Sequence, residues 1–269
     1  PMFAEAEADP SLSKEAFKPL EARLRVALLN AQYQRLQKAD KTLLIVIAGI
    51  DGAGKGATVN LLNEWMDPRH IKTLAYGPRE GAALERPPFW RYWHDLPPKG
   101  STGIVFGSWY APLLLEAARK KPDQNSIEAQ AAAIRRFEAM LAAEGVQILK
   151  LWFHLSAKAQ KARAERLLAS PETSWQVSPI DLKVYKKFDR IRNAGQVVLN
   201  HTDSGHAPWV VIPSADGDMR AARTAEAVLA AMRQRGVPRI PPAFVAHASP
   251  TRVVDRLGDL DYDAKTDKD

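Results

Sequence analysis

Apolar positions recur along the chain in two alternating rhythms. Leu20, Leu24, Ala27, Leu28 and Ala31 return at three- and four-residue intervals with Glu21, Arg23, Arg25 and Gln32 between them, the pattern of an amphipathic helix. Residues 41–49 (KTLLIVIAG) then form a continuous run of branched apolar residues closed by glycine, as in a strand buried on both faces of a parallel sheet. Shorter runs at 103–106, 146–155 and 209–213 repeat the theme. Between them, residues 126–145 place Ile127, Ala131, Ile134, Phe137 and Leu141 on one helical face, and 218–236 reads as a helix stopped by Gly236. Strands alternating with helices predict right-handed βαβ units and therefore an α/β fold on a parallel sheet.

The flanks break this rhythm. Residues 1–19 contain acidic residues, Pro10 and Pro19, and read as a loosely packed arm before a domain over 20–236. Within that domain, the stretch 156–200 has no strand pattern. It is dense in charge, with Lys158, Lys161, Arg163, Arg166, Lys183, Lys186, Lys187, Arg190 and Arg192, and reads as a helical lid over the sheet's functional edge. From 237 to 269 the composition shifts to Pro238, Pro241, Pro242 and Pro250, the mark of a tail or interdomain linker.

Composition narrows the chemistry. The 269 residues include no cysteine, which excludes disulfides, thiolate zinc sites, iron–sulfur clusters and a cysteine nucleophile. A cytoplasmic setting is expected, because the N-terminal residues lack a secretory pattern and no run approaches the ~18–20 apolar residues of a membrane span. Thirty-eight Lys and Arg against 31 Asp and Glu leave a net charge of +7. That excess suits a polyanionic partner or a merely basic surface. No nucleic-acid module is recognisable, so no nucleic-acid partner is expected.

The sharpest motif follows the run at 41–49. Gly49-Ile50-Asp51-Gly52-Ala53-Gly54-Lys55 fits G-x-x-x-x-G-K between a buried strand and a helix through Val59, Leu61, Leu62 and Trp65. Glycines let successive amides point inward, the helix N-terminus adds positive potential, and lysine reaches phosphate oxygens. Gly52, Ala53, Gly54, Lys55 and Gly56 are therefore candidate phosphate contacts. Gly56 stands where Ser or Thr would bind a metal, with Thr58 two residues on. Asp51, a carboxylate inside a phosphate cradle, is the candidate ligand for Mg²⁺, or orients the attacking phosphate. Arg91, set among Trp90, Tyr92 and Trp93, is either a functional residue or simply packs its stem and stacks its guanidinium on its aromatic neighbours. Trp109, Tyr110 and His154 read as packing residues, and His94, His201, His206 and His247 show no metal spacing.

Five stretches in order resemble the polyphosphate kinase 2 family over about residues 20–235: GIDGAGKG at 49–56, ERPPFWRYWHDLP at 85–97, Ser108-Trp109-Tyr110, Phe153-His154-Leu155-Ser156 and Ala207-Pro208-Trp209. The resemblance implies a three-layer P-loop kinase fold of the thymidylate-kinase-like kind, with a parallel sheet and a helical lid. It implies phosphoryl transfer between inorganic polyphosphate and a nucleoside mono- or diphosphate with Mg²⁺, polyphosphate + AMP giving ADP being the leading case. Asp51, Lys55 and Arg91 would then be catalytic, while Lys158, Arg163 and Arg166 of the lid would clamp the phosphate chain. Trp175, Asp181 and Asp189 match a further pattern of the family, and Arg220 with Arg223 approximates its closing basic pair. Residues 63–69 and Gly107 look most like the first domain of tandem polyphosphate:AMP phosphotransferases, so a second tandem domain or a homo-oligomer is the expected partner. At the end of the third strand, family members read Asp or Asn followed by Arg; this chain has Phe106 and Gly107. Two further readings therefore stay open: a catalytically weakened domain that binds polyphosphate or nucleotide, and an ATP-dependent small-molecule kinase.

Overall fold

Strands β1 (Thr42–Gly49), β2 (Ile71–Ala75), β3 (Thr102–Phe106), β4 (Val146–His154) and β5 (Trp209–Pro213) pair in parallel in the order β2-β3-β1-β4-β5. The computed structural model describes residues 1–176 and 187–234. β1 is central because its side chains have nowhere else to go: Leu43, Leu44, Ile45, Val46 and Ile47 are all buried. One layer of helices, α2 (Lys14–Lys38), α3 (Lys55–Trp65) and α9 (Gly217–Met232), covers one face. The other face carries α5 (Ala111–Ala117), α6 (Gln124–Ala143) and α8 (Phe188–Thr202). With β1 between β3 and β4, the chain's connections diverge at its carboxyl end and leave a crevice there, where ligands of open α/β sheets bind.

Four strands lie where the apolar runs placed them, and the three-layer arrangement is the one expected. β2 was not anticipated. It is an edge strand in which only Leu74 is buried, so Ile71-Lys72-Thr73-Leu74-Ala75 has neither a continuous apolar run nor clean alternation.

The expected loose arm over 1–19 is corrected. Helix α2 starts at Lys14, capped by Ser13, whose hydroxyl accepts the Ala16 amide at 3.2 Å, and Pro19 lies inside it. Before it, α1 (Ala4–Glu7) and its neighbours pack into the core, with Phe3 1% and Leu12 5% exposed. Too few residues separate these anchors for any periodicity to show. In the lid region, α7 (Ala157–Ala169) leads to a 3₁₀ turn at Ser174–Gln176, and α8 returns to the sheet. Asp181, Lys183, Lys186 and the proline-rich stretch 237–269 lie outside the described residues. Among the described residues, no helix is long and apolar enough to cross a membrane.

One polar cluster joins the helical layer to the sheet. The Lys150 ammonium of β4 is fully buried and donates to Glu138 Oε1 at 3.1 Å, to the Tyr110 hydroxyl at 2.8 Å and to the Thr202 carbonyl at 2.8 Å. Every N–H of the ammonium is thereby used. Tyr110 in turn donates to Glu138 at short range. Burial pushes the Glu138 carboxyl up and the Lys150 ammonium down, and each restrains the other's shift. Removing one partner would strand the other. Lys150→Met is expected to cost about 3–5 kcal/mol, and Lys150→Met with Glu138→Leu much less. Urea unfolding of the three proteins checks this; equal losses in the single and double variants would refute the coupling.

Candidate functional site

The turn from β1 into α3 leaves a helix end open. Gly54 is the N-cap of α3, in the left-handed region at φ 81°, and no side chain caps the helix. Its first amides therefore face the space before the helix, and around a Cβ built on Gly56 nothing stands within 4 Å. A Cβ at position 54 would also lie 2.5 Å from the guanidinium of Arg220, which would have to move aside. Arg220 thus reaches from α9 across the loop. It is 9% exposed and donates to the Ser214 carbonyl at 3.2 Å. Burial and the neighbouring charge of Arg163 bring its pKa down to about 10, which still leaves it charged at neutral pH.

From the other side, α7 grips the same loop. Gln160, 2% exposed, donates its side-chain amide to the Asp51 carbonyl at 2.7 Å. Arg163, one helical turn on and half-buried, lies on the same face. Lys158 and Arg166 do not. They are exposed, two and six residues from Gln160 and off its face, so of the expected lid cations the described structure brings only Arg163 to the loop. Gln160 escaped sequence reasoning, which looked for charge; its signal was the three-residue spacing to Arg163 after the Ser156 cap.

Lys55 folds back. Its ammonium donates to the Gly49 carbonyl at 2.9 Å and stands 3.4 Å from Asp51 Oδ1. That ion pair is half-exposed on the Asp51 side, so it holds the lysine only weakly. Ala53 is buried, whereas Gly52 and Asp51 are exposed. Thr58 is 3% exposed, beneath the loop, and its hydroxyl donates to the Gly54 carbonyl at 3.1 Å. Among the described residues no group of three or more His, Asp or Glu could hold a metal, so Asp51 would act with ligand oxygens and water. Arg91 sits apart, at the end of β2. It donates to the Gly77 carbonyl at 2.9 Å and to the Tyr92 hydroxyl at 3.1 Å, with its guanidinium over the rings of Tyr76 and Tyr92. Trp175 and Asp189 are exposed, and Arg223 pairs with Glu226 at 3.3 Å.

Beside Lys55 and Asp51 opens a cavity of about 310 Å³, walled by Phe106, Leu114, Trp152 and Ile191. An apolar chamber with a cationic, amide-lined mouth can hold a flat uncharged group while its phosphates meet the loop.

The family model for Polyphosphate kinase 2 (PPK2) matches residues 11–239. The chain belongs to the polyphosphate kinase 2 family. It is 44% identical over 220 residues to a polyphosphate:AMP phosphotransferase of Pseudomonas aeruginosa, covering 82% of this chain and 44% of that protein. To a polyphosphate:AMP phosphotransferase of Pseudomonas syringae pv. tomato it is 38% identical over 232 residues, covering 86% and 47%. The chain thus spans about half the length of these curated relatives. A crystal structure of a polyphosphate kinase 2 from Pseudomonas aeruginosa PA01 superposes with a TM-score of 0.76 at 40% identity, over 87% of this chain and 47% of that one. The polyphosphate kinase 2 of Arthrobacter aurescens TC1 gives 0.79 at 25% identity, over 93% and 90%. The expected P-loop kinase fold is the fold observed.

Against this polyphosphate kinase 2 background, the Phe106-Gly107 pair acquires a structural reason. Gly107 has φ 64°, and a Cβ there would lie 2.1 Å from the Tyr76 carbonyl oxygen. β2 is held against β3 at this point by the Tyr76 amide, which donates to the Phe106 carbonyl at 2.9 Å. An arginine at 107 therefore needs the edge strand to move. Gly107→Arg is expected to destabilise by about 2 kcal/mol or more, read as a Tm several degrees lower in thermal denaturation. An unchanged Tm would refute this steric account.

Proposed function

We propose that the chain binds inorganic polyphosphate at the phosphate loop and transfers a phosphoryl group between it and a nucleotide, polyphosphate + AMP giving ADP. The observation that carries the reading is the convergence of Lys55 and Arg220 on the uncapped end of α3, beside a cavity sized for a planar group. The names of the relatives supply the substrates: polyphosphate and AMP. Their greater length supports a second domain, or a second copy of the chain, as working partner. A cytoplasmic setting belongs to the same reading.

Phosphoryl transfer asks a protein mainly for positioning and charge neutralisation. In this reading an entering phosphate chain displaces the Gly49 carbonyl from Lys55, whose ammonium then holds the chain's oxygens. The amides of Gly54, Lys55 and Gly56 hold the same phosphates along the helix axis. Arg220 and Arg163 stand over the loop and balance the charge that builds up on the equatorial oxygens. Asp51 would hold Mg²⁺ together with substrate phosphates and water, and the ion supplies further charge neutralisation when bound. Arg91, already engaged by Gly77 and Tyr92, orients the acceptor side through its aromatic shelf; Lys158 and Arg166 take the exposed length of the chain.

Phe106 and Gly107 favour a second reading, a domain that binds the chain and transfers slowly. Losing a preorganised charge partner costs on the order of 10²–10³ in rate. Incubation with polyphosphate, AMP and Mg²⁺, following ADP, tests the first reading, and replacing polyphosphate by ATP tests an ordinary kinase. Lys55→Ala is expected to lower ADP formation at least about 100-fold. Salt-dependent polyphosphate binding without turnover would replace the first reading by the second; neither binding nor turnover would overturn both.

A further inference from the structure

The chain's first residues reach the lid. Asp9 accepts the Ser156 amide at 3.0 Å and the Ser156 hydroxyl at short range. Ser156 is the N-cap of α7, its hydroxyl oxygen accepting the Ala159 amide at 3.0 Å, so Asp9 fixes the cap and adds a carboxylate at the positive end of the helix. Asp9 itself adopts φ 50°, a left-handed conformation that Asp tolerates better than most side-chain-bearing residues.

Two residues earlier, Glu7 holds α8. Its carboxylate takes Nε and Nη2 of Arg192, the latter at 3.1 Å, and lies 3.0 Å from His154 Nε2. Trp152 Nε1 donates to His154 Nδ1 at 3.0 Å, so the imidazole proton is on Nε2 and is donated to Glu7. Phe3 stacks on this imidazole at 4.0 Å between centroids. At the far end, the Leu12 amide donates at 3.2 Å to Asp216, the N-cap of α9, which also accepts the Met219 amide at 2.8 Å. α7 carries Gln160 and Arg163, and α9 carries Arg220. One short segment therefore touches the starts of α7 and α9, whose side chains flank the phosphate loop, and the second turn of the lid's return helix.

We propose that residues 3–12 form a positioning strap, in which Asp9 and Glu7 set α7 and α8 against the phosphate loop and thereby set how tightly the loop holds a phosphate chain. The last step rests on the proposed polyphosphate reading; the placement of α7 does not. Asp9 and Glu7 are positioning residues, acting through Ser156 and Arg192 and touching no substrate.

Hydrogen–deuterium exchange on the whole chain without ligand tests the placement. Asp9→Ala is expected to speed exchange in the first turn of α7 and in the loop amides at 51–55, tethered through Gln160, while amides of β1 and β4 exchange as before. Asp9→Asn, which keeps an acceptor for Ser156, restores part of the protection. Unchanged exchange in α7 and the loop, or acceleration spread evenly through β1 and β4, would overturn the strap and leave only a stabilising terminus. Calorimetry with a defined-length polyphosphate is the second arm: Asp9→Ala and Glu7→Gln are expected to weaken binding about tenfold, the effect of losing a charge-assisted hydrogen bond. Wild-type affinity in both variants, alongside faster exchange, would overturn the link to ligand holding. No binding by the wild-type chain overturns the polyphosphate reading and that link with it, and the exchange result then decides the placement alone.

Discussion

Positive charge gathered around an open helix end is the interaction to which the other features of the site answer. Lys55, Arg220, Arg163 and the amides of α3 converge on one small volume, with Asp51 beside Lys55 and Asp216 near Arg220 as counter-charges. Bringing like charges together away from water is unfavourable, and the lowered pKa of Arg220 registers that cost. The arrangement persists because the surrounding structure holds it. An anion entering the loop would relieve that repulsion, which is the physical basis of the proposed phosphate binding.

The scaffold supplies the rigidity. β1 is buried on both faces and ends at the loop, while the Lys150–Glu138–Tyr110 cluster ties β4 to α5, α6 and α8. Aromatic contacts extend that tie, with Tyr92, Trp109 and Phe137 packed edge-on beneath the Arg91 shelf. Rigid elements on three sides leave α7 and the turn after it as the fourth wall. Their contacts with the loop run through few side chains, Gln160 foremost.

Much of the frame was legible in the sequence because its signals are continuous: an apolar run for β1, a glycine-spaced loop after it, helical spacing for α6. β2 was invisible because an edge strand buries a single side chain. The packing of Phe3, Ala6 and Leu12 could not be seen because their partners lie more than a hundred residues away. Charge counting in the lid named Lys158, Arg163 and Arg166 alike, and only the helix's orientation separates Arg163 from the other two. The sequence displayed Phe106 and Gly107 as a departure from the family, but the Tyr76 carbonyl facing Gly107 is a property of the backbone alone.

The topology also dictates a temporal order. The strap's hydrogen bonds join residues separated by 147, 185 and 204 positions along the chain. The segment precedes all of these partners in the chain and therefore cannot complete its docking until β5 and the start of α9 have followed it, and such long loop closures are slow to form. Until β4 has followed, Phe3 lacks the Trp152 and His154 rings it stacks on, and until α9 begins, the Leu12 amide lacks Asp216. The contacts of this segment with α7, α8 and α9 are thereby among those that close only when the two ends of the domain meet.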